Sequence, residues 1–265
     1  MSFTEILNLG QASDMVLRMC HEDDSPHLAK SEVQFWLNES ERTMLGTKYW
    51  SFLDVTKIFV QSKDTTLGED IAIGDTDFDV VDSSDLENAG TVLIDTNFIT
   101  YTGNDGVTNL SGVSGIGAAY TSGTKVKQVY SLEDDLGISQ FDKPISVHVG
   151  TTQLPYYDSR EGFNNSGYTI YNGFLIVPYS TSEETITLKY KADIGAMTSD
   201  TDTFTTPSKY IGAHVQYATY MSKMMINDPT YQNHQREYMR LKNMFKAAYG
   251  NQTERKDKFL RSPYV

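Results

Sequence analysis

"TVLIDTNFITYTG", residues 91–103, has the grammar of a β-hairpin. Val92 to Ile94 and Phe98 to Thr102 are short runs of β-branched and aromatic residues, and Asp95-Thr96-Asn97 between them is a polar connection of the kind that reverses a strand. Gly103-Asn104-Asp105-Gly106 supplies the next turn, and Val107 to Val113 reads as a third strand. The same grammar continues through "GTKVKQVYS" (123–131), "PISVHVG" (144–150), "GYTIYNGFLIVP" (167–178) and "ETITLKYK" (184–191).

The flanks read differently. In "SEVQFWLNESERTMLGTKYWSFLDVTKIFV", residues 31–60, Val33, Trp36, Leu37, Met44, Leu45, Phe52 and Phe59 recur near helical spacing. Ser31 with Gln34 three positions on makes a weak capping box, and Gly46 divides the pattern into two helices. A shorter helix is expected over Phe3 to Met19. Near the other end, Pro207 opens a run with Ile211, Val215, Ala218, Met221 and Met225 at helical spacing. Asp228-Pro229 then caps a last helix that runs to Tyr249 and stops at Gly250, with Tyr231, Tyr238, Leu241 and Phe245 on its buried side. The fold class is therefore α+β: a helical platform made from both chain ends, with a β-rich, barrel- or sandwich-like module inserted between them. The expected divisions are 1–63 (N-terminal helices), 64–191 (an acidic loop and the β-rich module), 192–250 (C-terminal helices) and 251–265 (an extended basic tail).

With 265 residues, 39% hydrophobic and 22% charged, the chain can bury a sizeable core. No apolar run approaches the roughly 20 residues that span a bilayer, so no membrane partner is expected. The opening "MSFTEILNLG" has no cationic leader, so no secretory signal is expected. A single cysteine, Cys20, excludes an internal disulfide and fits synthesis in a reducing compartment. Charge is unevenly placed. Residues 206–265 hold ten Lys or Arg against four Asp or Glu; with −13 over the whole chain, the other 205 residues carry −19. An acidic body does not coat nucleic acid, and a basic end is suited to an acidic partner surface.

The usual chemistry is missing. His21, His27, His148, His214 and His234 form no metal-ligand spacing. "SGVSGIG" (111–117) has glycines without the Lys-Ser/Thr of a phosphate loop, and there is no nucleophile elbow. Asp75, Asp77, Asp79 and Asp82 lack the Gly and terminal Glu of a calcium loop and read as a solvated acidic stretch. No enzymatic activity, cofactor or metal is expected.

Two stretches carry a resemblance. "GTVLIDTNFITYTGNDGVTNLSGVSGIGAAYTSGTKV" (90–126) resembles the inserted β-module of phage structural proteins, on the pieces Gly90 to Asp95, Ile99 to Gly103, Leu110 to Val113 and Gly123 to Val126. "ITLKYKADIGAMTSDTDTFTTPSKYIGAHVQYATYMSKMM" (186–225) resembles the passage from strand to paired helices in head–tail adaptors. Together with the helix-first, helix-last layout, the chain resembles tailed-bacteriophage head–tail connector (adaptor, neck ring) proteins. The resemblance implies a structural virion protein at the phage neck, made in the host cytoplasm. It implies a homo-oligomeric ring, a dodecamer, below the portal protein, joined to the next tail or neck ring protein. Double-stranded DNA would pass through its conduit without specific binding. It also implies that the tail seats on the portal through Arg255, Lys256, Lys258, Phe259, Leu260, Arg261 and Tyr264. The alternatives are another phage tail or baseplate structural protein, and a carbohydrate-binding protein drawing on the tyrosine-rich "YYDSREGFNNSGYTIYNG" (156–173).

Overall fold

The computed structural model describes residues 8–20, 28–46, 50–158 and 166–249. The chain divides into a helical unit, up to Leu53 and again from Asp193, and a β unit, Asp54–Ala192, in agreement with an α+β class.

The helical unit contains α1 (Leu9–Met19), α2 (Lys30–Leu45), α3 (Ile211–Met225) and α4 (Tyr231–Tyr249). Asn8 caps α1 by accepting from the Gln11 amide at 2.9 Å. The α2 N-cap lies two residues before the expected Ser31: Glu32, not Gln34, reaches back to the Ala29 amide at 3.0 Å. Pro207 leads through a 3-10 turn, Ser208–Tyr210, into α3. Asp228 accepts from the Thr230 amide at 2.9 Å ahead of α4, and its other oxygen meets the buried Lys223 ammonium at 2.8 Å. That pair ties the end of α3 to the start of α4. α3 is the hub, buried on most of its circumference from Ile211 to Lys223. One side packs with Leu9, Val16, Val33 and Leu37. The other packs with Trp50, Leu53, Tyr238 and Phe245.

The helical pattern expected over 31–60 ends at Leu45, and the reading of 54–60 as helix is wrong. Residues Asp54–Gln61 form β1, paired antiparallel along all eight residues with β14 (Glu184–Lys191). The Asp54↔Lys191 pair means that the chain enters and leaves the β unit on adjacent strands, which is how an insertion is accommodated without reorganising its host. β14 also pairs with β10 (Lys143–Val149), and β10 with β11 (Thr152–Leu154). A second sheet is ordered β12 (Thr169–Tyr171), β13 (Phe174–Ile176), β9 (Tyr130–Ser131). Its hairpin turns on Asn172 and Gly173, both at positive φ (49° and 81°), as a two-residue turn between twisted strands requires.

The opening hairpin is present. β4 (Gly90–Ile94) and β5 (Asn97–Tyr101) pair from Gly90↔Tyr101 to Ile94↔Asn97, reversing through Asp95, at φ 53°, and Thr96. With β2 (Thr65–Thr66) and β8 (Lys125–Gln128) they form a sheet of order β2-β8-β4-β5. A fourth sheet, β3 (Asp77–Asp79), β7 (Asn109–Ser111) and β6 (Gly103–Asn104), takes up the expected third strand, which is shorter than Val107 to Val113 and leaves Val107 exposed. Two cores result. One gathers Leu67, Phe78, Val80, Val92, Ile94 and Ile99, among others; the second gathers Tyr130, Val147, Leu175, Ile186 and Leu188. Leu93, Val129 and Ile176 form a small third cluster, against which Phe98 and Phe174 pack. Val92 and Ile94 face one core and Leu93 the opposite side, so β4 is buried on both faces and reads as an unbroken apolar run. Each fully buried aliphatic there contributes about 1.5–3 kcal/mol.

The acidic stretch 64–90 is not a bare solvated loop. Leu67, Ile71, Phe78, Val80 and Leu86 are buried core residues, spaced singly between exposed acids. The glycines of 111–117 also have a structural use: Gly115 stands at φ 95°, and a Cβ there would lie 2.7 Å from the Phe98 carbonyl oxygen. They let the chain cross closely over β5.

Candidate partner interface

A hydroxyl and an imidazole do meet in this protein, in a place where they cannot act on a substrate. Ser40 Oγ lies 2.9 Å from His214 Nδ1, and Thr206 Oγ1 lies 2.9 Å from His214 Nε2. The ring is fully buried and stacked parallel on Phe204, with centroids 5.4 Å apart. Burial drives its pKa down to about 3, so it is a neutral ring tying α2, α3 and the segment before α3 together. Beside it Glu41, also buried, accepts from the Thr206 amide at 2.9 Å, and desolvation raises its pKa. His234 pairs with Gln216 at 2.8 Å, and His148 lies on β10. His21 and His27 lie outside the described residues. Among the described residues no group of three or more His, Cys, Asp or Glu is placed to hold a metal, and Cys20 is buried.

The acids of 69–87 and their neighbours serve backbone. Asp75 accepts from the Ala72 amide at 2.7 Å, Glu69 from the Asp79 amide at 3.0 Å, and Asp70 from the Ser122 amide at 2.7 Å. Asp105 accepts three amides, from Val107, Thr108 and Asn109 at 2.8, 2.9 and 2.9 Å, which lowers its pKa. The hydroxyl and the amide of Ser84, with the Lys63 ammonium, hold Asp82 down to about 2. Of the described tyrosines in the proposed glycan stretch, Tyr168 turns inward, Tyr156 and Tyr157 are half-buried and Tyr171 is exposed. Tyr168 is buried and packs edge-on against Tyr156, and Tyr171 stacks on Phe98. Residues 159–165 lie outside the described residues.

What remains is surface of the kind that meets other proteins. β1 is the edge of its sheet. Ile58 and Val60 on its outer side are 62% and 57% exposed, while Phe59 packs inward and Gln61 is buried. Phe35 and Met225, both exposed, line a depression of about 290 Å³ with Ser31, Glu32 and Trp36. α4 buries only Tyr238 and Phe245 fully, with Leu241 and Tyr249 packed partly beside them. Tyr231 is half-buried, and the opposite side carries Arg236, Met239, Arg240 and Met244. Reading α4 for its apolar side alone missed that face, although the helical wheel contains it. Of the α3 residues expected inside, Ile211, Val215 and Ala218 are buried, whereas Met225 is 48% exposed. The expected portal-binding residues Arg255, Lys256, Lys258, Phe259, Leu260, Arg261 and Tyr264 all lie outside the described residues.

A family model described as SU10 adaptor protein matches residues 83–263, more than half of the chain. The chain belongs to the SU10 adaptor protein family. This agrees with the resemblance to phage head–tail adaptors, a structural family rather than a class of enzymes. No curated protein matches the chain. The matched span of the adaptor begins before β4 and takes in the hairpin, the remaining strands, α3 and α4. It continues past Tyr249 to include Arg255, Lys256, Lys258, Phe259, Leu260 and Arg261, but not Tyr264. α1, α2 and β1 to β3 precede it. Among the described residues no helix is long and apolar enough to cross a membrane.

Proposed function

We propose that this adaptor forms a homo-oligomeric ring, a dodecamer, below the phage portal, joins the head to the next tail or neck component, and lines the conduit through which DNA leaves. The observation that carries the reading is the family match, which runs unbroken from the β unit through α3 and α4 into the basic tail. The net charge of −13 suits a conduit, because an acidic wall repels the phosphate backbone and lets DNA pass without sticking. Helices from both chain ends build the ring, and the inserted β unit supplies a rigid surface for another component. In the tail, Arg255, Lys256, Lys258 and Arg261 meet an acidic rim on the portal while Phe259, Leu260 and Tyr264 fill pockets.

The test is electron microscopy of the purified protein mixed with portal rings, for the full chain and for a chain lacking residues 251–265. The full chain decorates one face of the portal with a ring. The shortened chain keeps its thermal transition, fails to decorate the portal, and leaves heads without tails in infected cells. Normal attachment by the shortened chain removes the role given to the tail. A full chain that ignores the portal and instead joins isolated tails or baseplates replaces the neck assignment with a distal one.

A further inference from the structure

The outward side of α4 has a composition that water does not explain. At about 100° per residue, Arg236, Met239, Arg240, Asn243, Met244 and Ala247 fall opposite the buried Tyr238 and Phe245. Met239 and Met244 are 49% and 43% exposed. A solvated helix face usually carries Lys and Glu, whereas Arg and Met are enriched, and Lys and Glu depleted, where proteins meet. Arg240 is also held in place before any partner arrives. Its Nε and Nη2 donate to the two carboxylate oxygens of Glu237 at 2.8 and 2.6 Å, and its Nη1 lies 3.1 Å from Met244 Sδ. A side chain already ordered loses less freedom on binding.

One segment of the same chain has the complementary character. Residues 64–87 hold nine Asp or Glu and no Lys or Arg. Asp64 is buried, and of the other eight only Asp82 forms an ion pair among the described residues, with Lys63 at 3.1 Å. Exposed among these acids are Ile73 and Val81, at 69% and 63%. A strip of carboxylates interspersed with aliphatic side chains is what a strip of arginines flanked by thioethers can cover, charge meeting charge and apolar groups meeting apolar groups.

We propose that the Arg236–Met239–Arg240–Met244 stripe of α4 docks onto the acidic 69–87 face of a second copy of this chain. The proposal rests on the ring reading above and names the surfaces that would make the ring. Because the two faces are different, each copy offers one of each, and such head-to-tail contacts propagate around a closed circle. DNA is the competing occupant of a basic helix. A phosphate-tracking face, however, has no use for two exposed methionines flanking its arginines.

The experiment reads assembly of the full chain, alone and on portal rings, by native mass spectrometry and electron microscopy. The double variant Arg236→Glu with Arg240→Glu and the double variant Asp75→Lys with Asp77→Lys each weaken copy-to-copy association at least tenfold. The four substitutions combined restore at least part of it, and association of the unaltered chain weakens as salt is raised. All four positions are exposed, so matching thermal transitions show that the variants are folded. Met239→Glu, which leaves the arginines in place, also weakens association. Rings that survive the α4 reversals overturn the contact while leaving the ring reading intact. So does failure of the combined variant to recover, which means that the two faces meet other partners. Loss of DNA affinity without loss of rings assigns the stripe to nucleic acid instead. An unaltered chain that stays monomeric both alone and with portal overturns the ring and this contact together.

Discussion

In the helical unit a fully buried imidazole, His214, is kept neutral between Ser40 and Thr206, beside the buried Glu41 carboxylate. In the β unit the corresponding group is a carboxylate, Asp64. It is 2% exposed and accepts from the Gln128 and Ser180 amides at 2.8 Å each. Both side chains join segments far apart in sequence, but acid acts on them in opposite senses. Helices already satisfy their own backbone, so a neutral side chain with one donor and one acceptor is enough to link them. The β unit is built from short strands, some of two or three residues, whose ends leave amides without ladder partners. Carboxylates are the acceptors it uses for those amides, which is one reason it is acidic.

The largest effect expected from this contrast is a core truncation that strikes the helical unit alone. Trp50 is fully buried, donates its indole N–H to the Leu45 carbonyl at 2.8 Å, and packs 4.5 Å from Phe245 between ring centroids. Trp50→Ala removes the centre of that cluster and costs about 3–5 kcal/mol. Hydrogen exchange of the variant should show faster opening in α2, α3 and α4 while β4, β8 and β14 keep their protection. Equal loss of protection in both units would break the comparison, since the two would then unfold as one cooperative body.

The next effect is smaller and depends on pH. The folded pKa of His214, about 3, lies below its usual 6.5, so the unfolded chain binds the proton first. Its stabilising contribution is fully present above about pH 6.5 and is lost as pH falls toward 3. Between pH 7 and pH 5 the loss is about 2 kcal/mol. His234, also lowered mainly by burial, acts in the same sense, and Glu41, raised by burial, acts in the opposite sense. Comparison with His214→Gln isolates the share of that histidine. Denaturant titration of the helical signal should show the loss in the unaltered chain and a much weaker pH dependence in His214→Gln.

The same contrast explains what the sequence made readable. The β4–β5 hairpin was legible because its apolar run, polar turn and second run are all within thirteen residues, and α3 and α4 because Pro207, Asp228 and a helical period mark them locally. β1 was not. "DVTKIFVQ" continues a spacing that suits a helix, and what makes it a strand is pairing with β14, some 130 residues away. The core residues of 64–90 were hidden for a related reason. Leu67, Ile71, Phe78, Val80 and Leu86 stand singly among acids, and strands of two or three residues leave no period to detect. Interfaces were less legible still, because an exposed Arg or Met differs from a buried one only once the helix has a known inner side. The α4 stripe became visible when Tyr238 and Phe245 fixed that side. The tail residues Arg255 to Tyr264 lie outside the described residues, and their role is a proposal argued from their chemistry.

The smallest expected effect is the one that sharpens the comparison most, because its sign is reversed. Burial raises the Asp64 pKa from 3.8 to about 6, against the lowering influence of two amide donors, of Gln61 and of the nearby Lys127. The folded chain therefore holds the Asp64 proton more tightly than the unfolded chain does. Stability from this group is fully present below about pH 3.8 and is lost as pH rises through 6. Acidifying from pH 7 to pH 5 should accordingly strengthen the β unit by about 1 kcal/mol while the helical unit weakens. Asp82, held down near 2, and Asp105, also lowered, lose their contributions only below the ordinary carboxylate range and stay silent in this window. Asp64→Asn should flatten the response. It should also cost about 1–3 kcal/mol at every pH, because an amide offers one acceptor oxygen where two backbone N–H groups need one each. The measurement is hydrogen exchange at pH 7 and pH 5, corrected for intrinsic rates, on the strands that Asp64 holds. Slower exchange of β8 and of the residues around Ser180 at pH 5, absent in Asp64→Asn, is the expected result. Faster exchange there at pH 5 would mean that the carboxylate is stabilised as an anion by Lys127, and the electrostatic contrast between the two units would not hold.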